Sequence, residues 1–293
     1  EIHQQLDGQK LFCDCPTTIR DDEPHHTIKR RLRAVAGEAG DIDVAALREV
    51  QKNKHFEYQC YHDSTCLVET DEEPPHELNP DALHTTLQFC KLTNARPVDQ
   101  IRVMRKTVID GSNTSGFQRT ALIANGGQID TKEGKVRLAT TCLEEDAARI
   151  ITRDTNHTIY RLDRLGIPLI EIATEPDIKT PEQCVEAAGA IGMLLRSTGK
   201  AKRGLGTIRQ DVNISTINAP RIEIKGVQAL DLIPTVVQLE AERQQRLLET
   251  QRKLNERKAT PNDHVHDLTD VLSRSQSKIV TGALGKRGVI IGV

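Results

Sequence analysis

Acidic and basic side chains recur in this sequence at spacings that strands would bring together. In Thr207-Ile208-Arg209-Gln210-Asp211-Val212-Asn213-Ile214-Ser215 the odd positions are polar and the even ones mostly apolar, and Arg221-Ile222-Glu223-Ile224-Lys225 repeats the pattern. Side chains alternate across a strand. A hairpin turning near Asn218-Ala219 would then put Arg209, Asp211, Asn213, Glu223 and Lys225 on one face, with Asn213 opposite Lys225 and Ser215 opposite Glu223. A solvated outer face with cross-strand ion pairs gives the same spacing, and on spacing alone it is the commoner case. Glu171 weighs against it: it is the single carboxylate in the apolar run Ile167-Pro168-Leu169-Ile170-Glu171-Ile172-Ala173. Such a carboxylate is costly unless paired or on a metal. Leu143-Glu144-Glu145-Asp146 adds three acids, which alone would equally suit a helix N-terminus. Carboxylates from separate strands are a way to assemble a Mg²⁺–nucleotide site, because Mg²⁺ takes one or two of them plus phosphate oxygens and waters.

Weaker features surround these. Gly111-Ser112-Asn113-Thr114-Ser115-Gly116 is a hydroxyl-rich, glycine-bounded loop with Arg105, Lys106 and Arg119 near it. Backbone N–H groups in such loops can bind anions, and an ordinary connection fits as well. Gly282-Ala283-Leu284-Gly285-Lys286-Arg287 only superficially matches a phosphate loop, and the standard P-loop, dinucleotide and nucleophile-elbow motifs are absent. The seven Cys are odd in number and scattered, so they do not read as a disulfide framework. Cys13-Asp14-Cys15 and Cys60…Cys66 both miss the C-x₂₋₄-C spacing of zinc sites, so Zn²⁺ is doubtful on this reading.

The elements that would carry these groups are strands and helices in separate blocks, which gives an α+β class. Strands are expected over 1–12, 55–70 and much of 98–175, with 13–40 irregular. Helices are expected from Asp43, over 79–92 behind Asn79-Pro80, from the capping box at Thr180 to about Ser197, and over 231–258. The 293 residues suffice for one large or two ordinary domains. A net charge of -2 excludes a simple basic nucleic-acid coat, and 2% aromatics with no Trp exclude a row of base-stacking rings. No apolar run reaches the ~18 residues of a membrane span, and no signal peptide opens the chain, so a cytoplasmic setting is the default. The opening at Glu1 rather than Met, and the strand-like run Gly288–Val293, suggest a piece of a longer protein.

Longer stretches carry a family resemblance: EIHQQLDGQKLFC (1–13), TCLVETDEEPPHELNP (65–80), MRKTVIDGSNTSGFQRT (104–120), CLEEDAARI (142–150), YRLDRLGIPLIEIATEPD (160–177), LRSTGKAKRGLGTIRQDVNIS (195–215) and RIEIKGVQALDLIP (221–234). With these the chain resembles the archaeal glutamyl-tRNA(Gln) amidotransferase E subunits, relatives of the aspartyl/glutamyl-tRNA amidotransferase B subunits. The resemblance implies a cradle-type catalytic domain around an antiparallel sheet with flanking helices over residues 1–260. Residues 261–293 would open a truncated domain like the insertion of bacterial aspartyl-tRNA synthetases. It implies that ATP and Mg²⁺ phosphorylate the side-chain carboxylate of Glu on tRNA(Gln), and that ammonia from an asparaginase-like D subunit then gives Gln-tRNA(Gln). Carried over by position, Glu1, His3 and Glu145 would hold the metal. Glu144, Glu145, Arg209 and Lys225 would act in catalysis, and Ser112, Arg119, Glu171, Asp211 and Glu223 would bind the nucleotide. Glu145 is expected to lead the acidic pair, because Glu144 is the more natural partner of Arg149. The B subunits often complete their Cys-x-Cys pair with Cys-x-x-Cys around zinc, and no such second pair follows here. The alternatives are a non-catalytic tRNA-binding scaffold on a related fold, a zinc-stabilised structural domain, and a B-type subunit.

Overall fold

A computed structural model describes residues 1–293 other than 32, 33, 35, 38, 261–263, 287 and 293. In chain order its elements are β1 (Ile2–Gln5), β2 (His26–Arg31), α1 (Val44–Gln51), β3 (His55–Cys60), α2 (Pro80–Leu92), β4 (Arg96–Pro97), β5 (Val103–Thr107), β6 (Phe117–Asn125), β7 (Gln128–Thr131), β8 (Gly134–Glu145), β9 (Arg149–Arg153), β10 (His157–Arg161), β11 (Pro168–Thr174), α3 (Pro181–Ser197), β12 (Ile208–Gln210), β13 (Val212–Ile214), β14 (Ile222–Ile224) and α4 (Ile233–Glu256). The class is α+β, as the segregated pattern predicts.

Helix starts follow their caps. Asp43, Asn79 and Thr180 accept hydrogen bonds from the N–H groups of Ala46, Ala82 and Gln183. Each satisfies a donor that the first helical turn leaves unpaired. In α2 and α3 a Pro at the first turn costs nothing, since its missing N–H had no partner there. The Gln183 carboxamide reaches back to the Lys179 N–H at 2.8 Å, closing the α3 entry.

The main sheet runs β12-β1-β11-β8-β6-β4, with β5 also on β6 and β7 on β8, and every ladder in it is antiparallel. One face is apolar: Ile2, Ile170, Ile172, Leu143 and Ala121 pack with Phe89 and Cys90 of α2 and with Ala187, Ile191 and Leu195 of α3. The other face is left for polar groups. A second sheet, β2-β3-β10-β9, contains one parallel pair, β3 with β10. Its β2 lies in a segment expected to be irregular. The ladder to β3 explains it: Lys29, for example, lies opposite Glu57, a partner that the local sequence does not reveal.

The expected long hairpin over 205–227 breaks at Asp211. Its N–H donates to the Glu1 carbonyl at 2.9 Å, so β12 joins the main sheet and β13 pairs β14 separately. In that short hairpin Asn213 lies opposite Glu223, not Lys225. The chain divides into two compact units, Glu1–Glu242 and Arg243–Val293. The domain boundary expected at 260/261 adjoins residues 261–263, which lie outside the described residues. The second unit holds α5 (Thr269–Leu272), α6 (Lys278–Gly285) and the pair β15 (His266–Asp267) and β16 (Ile291–Gly292). Gly282–Gly285 thus end a helix, and Arg287 is outside the described residues.

Candidate active site

Register on the polar face of the main sheet builds two lateral rows. Arg209, His3, Glu171 and Cys142 line up across β12, β1, β11 and β8. Met104, Thr120, Glu144 and Leu169 line up across β5, β6, β8 and β11. Neighbours in such a row share a face, so His3, Glu171 and Glu144 meet although they come from three strands. His3 Nε2 is 3.0 Å from Glu1 Oε1, and Nδ1 is 3.4 Å from Glu144 Oε1. Glu144 Oε2 accepts from Lys106 Nζ and from the Thr120 hydroxyl, both at 3.2 Å. Beside this centre, Lys225 Nζ lies 3.3 Å from Asp211 and 3.2 Å from Glu223, and Asp211 also accepts from the Gly226 N–H. The Arg209 guanidinium is 3.4 Å from Asp146.

The electrostatics describe a centre short of positive charge. Burial pushes His3 down, but the carboxylates of Glu1 and Glu144 outweigh it and lift it to about 9. Burial also opposes ionisation of Glu144, yet His3 and Lys106 hold it down at about 2. Glu171 receives less help: burial and then the neighbouring Glu144 charge push it up to about 7, and His3 offsets them only in part. Two carboxylates this close ionise together only with added positive charge between them. His3 Nδ1 is buried and faces Glu144 Oε1 at 3.4 Å without a hydrogen bond of good geometry. Donor atoms of His3, Glu144 and Glu171, and of Glu1, His3 and Asp211, lie within 4.8 Å of one another. Carboxylate-rich trios of this kind fit Mg²⁺ or Mn²⁺. A divalent cation would relieve the repulsion that, together with burial, raises Glu171.

The structure brings together Glu1, His3, Glu144, Glu171 and Asp211, flanked by Arg209, Glu223 and Lys225. It does not bring Glu145, Ser112 or Arg119 into that group. Glu145 turns to the opposite face of β8, where its carboxylate accepts from the Arg119 N–H at 3.0 Å and from its guanidinium at 3.2 Å. The pair is buried on both sides. Arg149 pairs with Asp163 and Asp21 rather than with Glu144, which removes the reason for preferring Glu145. Ser112 is tied into the loop: its N–H donates to Asp110, and its carbonyl accepts from Ala148. Gly111 has a φ of +83°, and a Cβ there would meet the Phe56 ring at 2.6 Å, so the loop packs tightly on the second sheet. Sequence reasoning missed Lys106 and Thr120 as site residues. The alternation Met104, Lys106 against Thr120 carried that signal, once β5 was paired with β6.

A second cluster lies elsewhere. Donor atoms of Cys13, Cys15, Cys66 and Glu69 fall within 4.8 Å of one another. Cys13 Sγ is 2.8 Å from Glu69 Oε1, and Lys10 Nζ is 3.2 Å from the same oxygen. Burial and the Glu69 charge push the Cys66 thiol up to about 12. Three thiols and a carboxylate make a four-donor set with tetrahedral zinc chemistry. Cys66-Leu67-Val68-Glu69 has the x-x spacing of a zinc half-site with a carboxylate as its second ligand, the signal that a search for Cys alone passes over.

Comparison with known proteins completes the description. The profile of the GatB/GatE catalytic domain matches residues 1–267. The chain is 53% identical over 291 residues to the glutamyl-tRNA(Gln) amidotransferase E subunit of a Methanococcus maripaludis strain, covering 99% of this chain and 46% of that protein. It is 55% identical over 288 residues to the protein of the same name from Methanocaldococcus jannaschii, covering 98% and 46%. It is 51% identical over 284 residues to that from Methanothermobacter thermautotrophicus, covering 97% and 46%. The chain therefore spans about half the length of these relatives. Among the described residues no helix is long and apolar enough to cross a membrane.

Proposed function

This chain belongs to the GatB/GatE catalytic-domain family, and from that premise we propose that it is the ATP-dependent kinase part of a tRNA-dependent amidotransferase. The substrate would be glutamate esterified to tRNA(Gln). The γ-phosphoryl of ATP passes to the side-chain carboxylate and ADP leaves. Ammonia then adds to the acyl carbon and phosphate leaves, giving the amide. An asparaginase-like D subunit would release the ammonia from an amide donor.

The observation that supports this reading is the charge-deficient acidic centre with exposed cations at its rim. Glu1, Glu144, Glu171 and Asp211 would hold Mg²⁺, which when bound would supply positive charge to the phosphates. The chain's own residues do the rest. His3 orients the Glu1 and Glu144 carboxylates between its two ring nitrogens. Lys106, with its side chain 56% exposed, can swing from Glu144 to an incoming carboxylate or phosphate. Arg209 and Lys225 balance the charge that moves as the phosphoryl group is transferred. A non-catalytic scaffold would have no use for Glu171, which is costly to bury without a cation. Calorimetry of ATP binding to the full-length protein, with and without Mg²⁺, tests the proposal. Mg²⁺-dependent binding that Glu171→Gln weakens is expected, and absence of nucleotide binding would refute it.

We propose in addition that Zn²⁺ occupies the Cys13, Cys15, Cys66, Glu69 quartet as a structural ion. The donor set, with Cys13 and Glu69 buried and Cys15 and Cys66 half-buried, supports this reading.

A further inference from the structure

β5 is an open edge of the main sheet. It pairs β6 on one side and, among the described residues, no strand on the other. All five of its residues are exposed, including Val103 at 45% and Met104 at 51%. Edge strands are usually blunted by charge. Arg102, Arg105 and Lys106 give this edge charge, but the exposed Val103 and Met104 leave it attractive to a partner that has both anionic and flat apolar parts. Alternation puts Met104 and Lys106 on the face of the acidic centre, and Arg102 lies one residue before the strand. Met104 neighbours Thr120, Thr120 neighbours Glu144, and Lys106 touches Glu144. The strip therefore leads into the site.

The two rims differ in charge balance. Arg209 and Lys225 are engaged by Asp146, Asp211 and Glu223. Arg102 bonds the neutral carboxamide of Gln100 at 3.2 Å, so this bond leaves its charge uncompensated. Resting on the reading that the substrate is an aminoacyl ester of tRNA, we propose that the β5 edge is the track of the single-stranded acceptor end. Arg102 takes a backbone phosphate, Met104 lies against the face of the terminal base, and Lys106 stands where the esterified amino acid turns toward Glu144. Met104 is roughly 5 Å from Thr120 by strand spacing, and Arg102, two residues back along the chain and just before β5, lies up to roughly 7 Å from Met104, distances on the scale of successive nucleotides. Unpaired RNA ends offer splayed bases and accessible phosphates. The free N–H and C=O groups of an edge strand need partners and suit the hydrogen-bonding edges of such bases.

The test uses the full-length protein in its complex and a glutamylated acceptor minihelix with a single-stranded 3′ end. Binding is read by fluorescence anisotropy over a salt series, with Mg²⁺–ATP binding measured in parallel. Arg102→Gln is expected to weaken minihelix binding and to lower the log–log salt slope by about 1, the signature of one lost phosphate contact. Met104→Ser is expected to weaken binding with the slope unchanged. Neither variant should alter Mg²⁺–ATP binding. Wild-type affinity and slope in both variants, in a protein that still forms Gln-tRNA(Gln), would overturn the β5 track and leave the proposed function standing. Loss of complex assembly with unchanged minihelix binding would also overturn it, by making β5 a protein-pairing edge. A wild-type protein that neither binds Mg²⁺–ATP nor converts the minihelix would overturn both.

Discussion

Glu144 and Glu145 are adjacent in sequence, and the structure predicts opposite consequences for replacing them. Glu144→Gln keeps the shape of the side chain and an oxygen for Thr120 and Lys106. It removes the charge that balances His3, and it also relieves the repulsion felt by Glu171. The Lys106 partner is more than half exposed, and the relief of Glu171 leaves a second carboxylate to balance His3, so the cost to folding should be smaller than that of Glu145→Gln. The cost to chemistry should be several kcal/mol, on the order of 10²-fold in rate or more, because a carboxylate of the cation site is gone. Glu145→Gln leaves the Arg119 guanidinium, 9% exposed, without its counter-charge. Breaking a buried pair from one side costs roughly 3–5 kcal/mol, and the remaining amide hydrogen bond points to the lower end. At roughly 2–4 °C per kcal/mol for a domain of this size, Tm should fall by roughly 6–12 °C. The assay supplies glutamyl-tRNA(Gln), ATP, Mg²⁺ and free ammonia to the full-length protein, bypassing any partner, below the lower Tm. Amide formation should fail with Glu144→Gln and persist with Glu145→Gln. Near-normal turnover by Glu144→Gln, or a stable but inactive Glu145→Gln, would refute the assignment of the two faces.

Other outcomes follow from the same geometry. Native mass spectrometry should find about one zinc per chain; Glu69→Ala should lose it and lower Tm, and a protein purified without any metal would count against the quartet. Gly111→Ala should destabilise the fold by at least about 1–2 kcal/mol, from the left-handed backbone alone, before the clash with Phe56. Chemical denaturation reads it, and an unchanged midpoint would mean that the loop repacks freely. With a net charge of -2, residues 1–293 alone should bind tRNA weakly and with a steep salt dependence. Tight binding at high salt, seen in filter retention, would contradict this.

Local chemistry was legible where one segment decides its own structure. Asp43, Asn79 and Thr180 announce helices because a cap and its target N–H lie within three residues. The lone Glu171 announced a site because a carboxylate in an apolar strand needs a reason. Illegible were the choices made by distant partners. The alternation through Thr207–Ser215 is continuous, but the Asp211 N–H finds the Glu1 carbonyl, and the strand changes sheet there. Asn218 has a φ of +67°, and the turn around it resets the short hairpin by two residues from the expected pairing. The side taken by Glu145 depended on Arg119 lying opposite on β6, which no pattern within residues 143–146 reveals.

The alternation along β8 makes strand register an all-or-none determinant of activity. Glu144 and Glu145 differ by one position, so a slip of one residue would send Glu145 to the reaction face and turn Glu144 to the opposite one. Ladders to β6 and β11 on both sides of β8 pin it against such a slip. Tolerance to change should therefore split by kind rather than by place. Around the β7–β8 turn, substitutions at the exposed Lys132 and Glu133 should be mild, whereas Gly134, at a φ of +123°, should resist any side chain. A single inserted or deleted residue within β8 itself should abolish activity, even where every side chain of the site is still encoded.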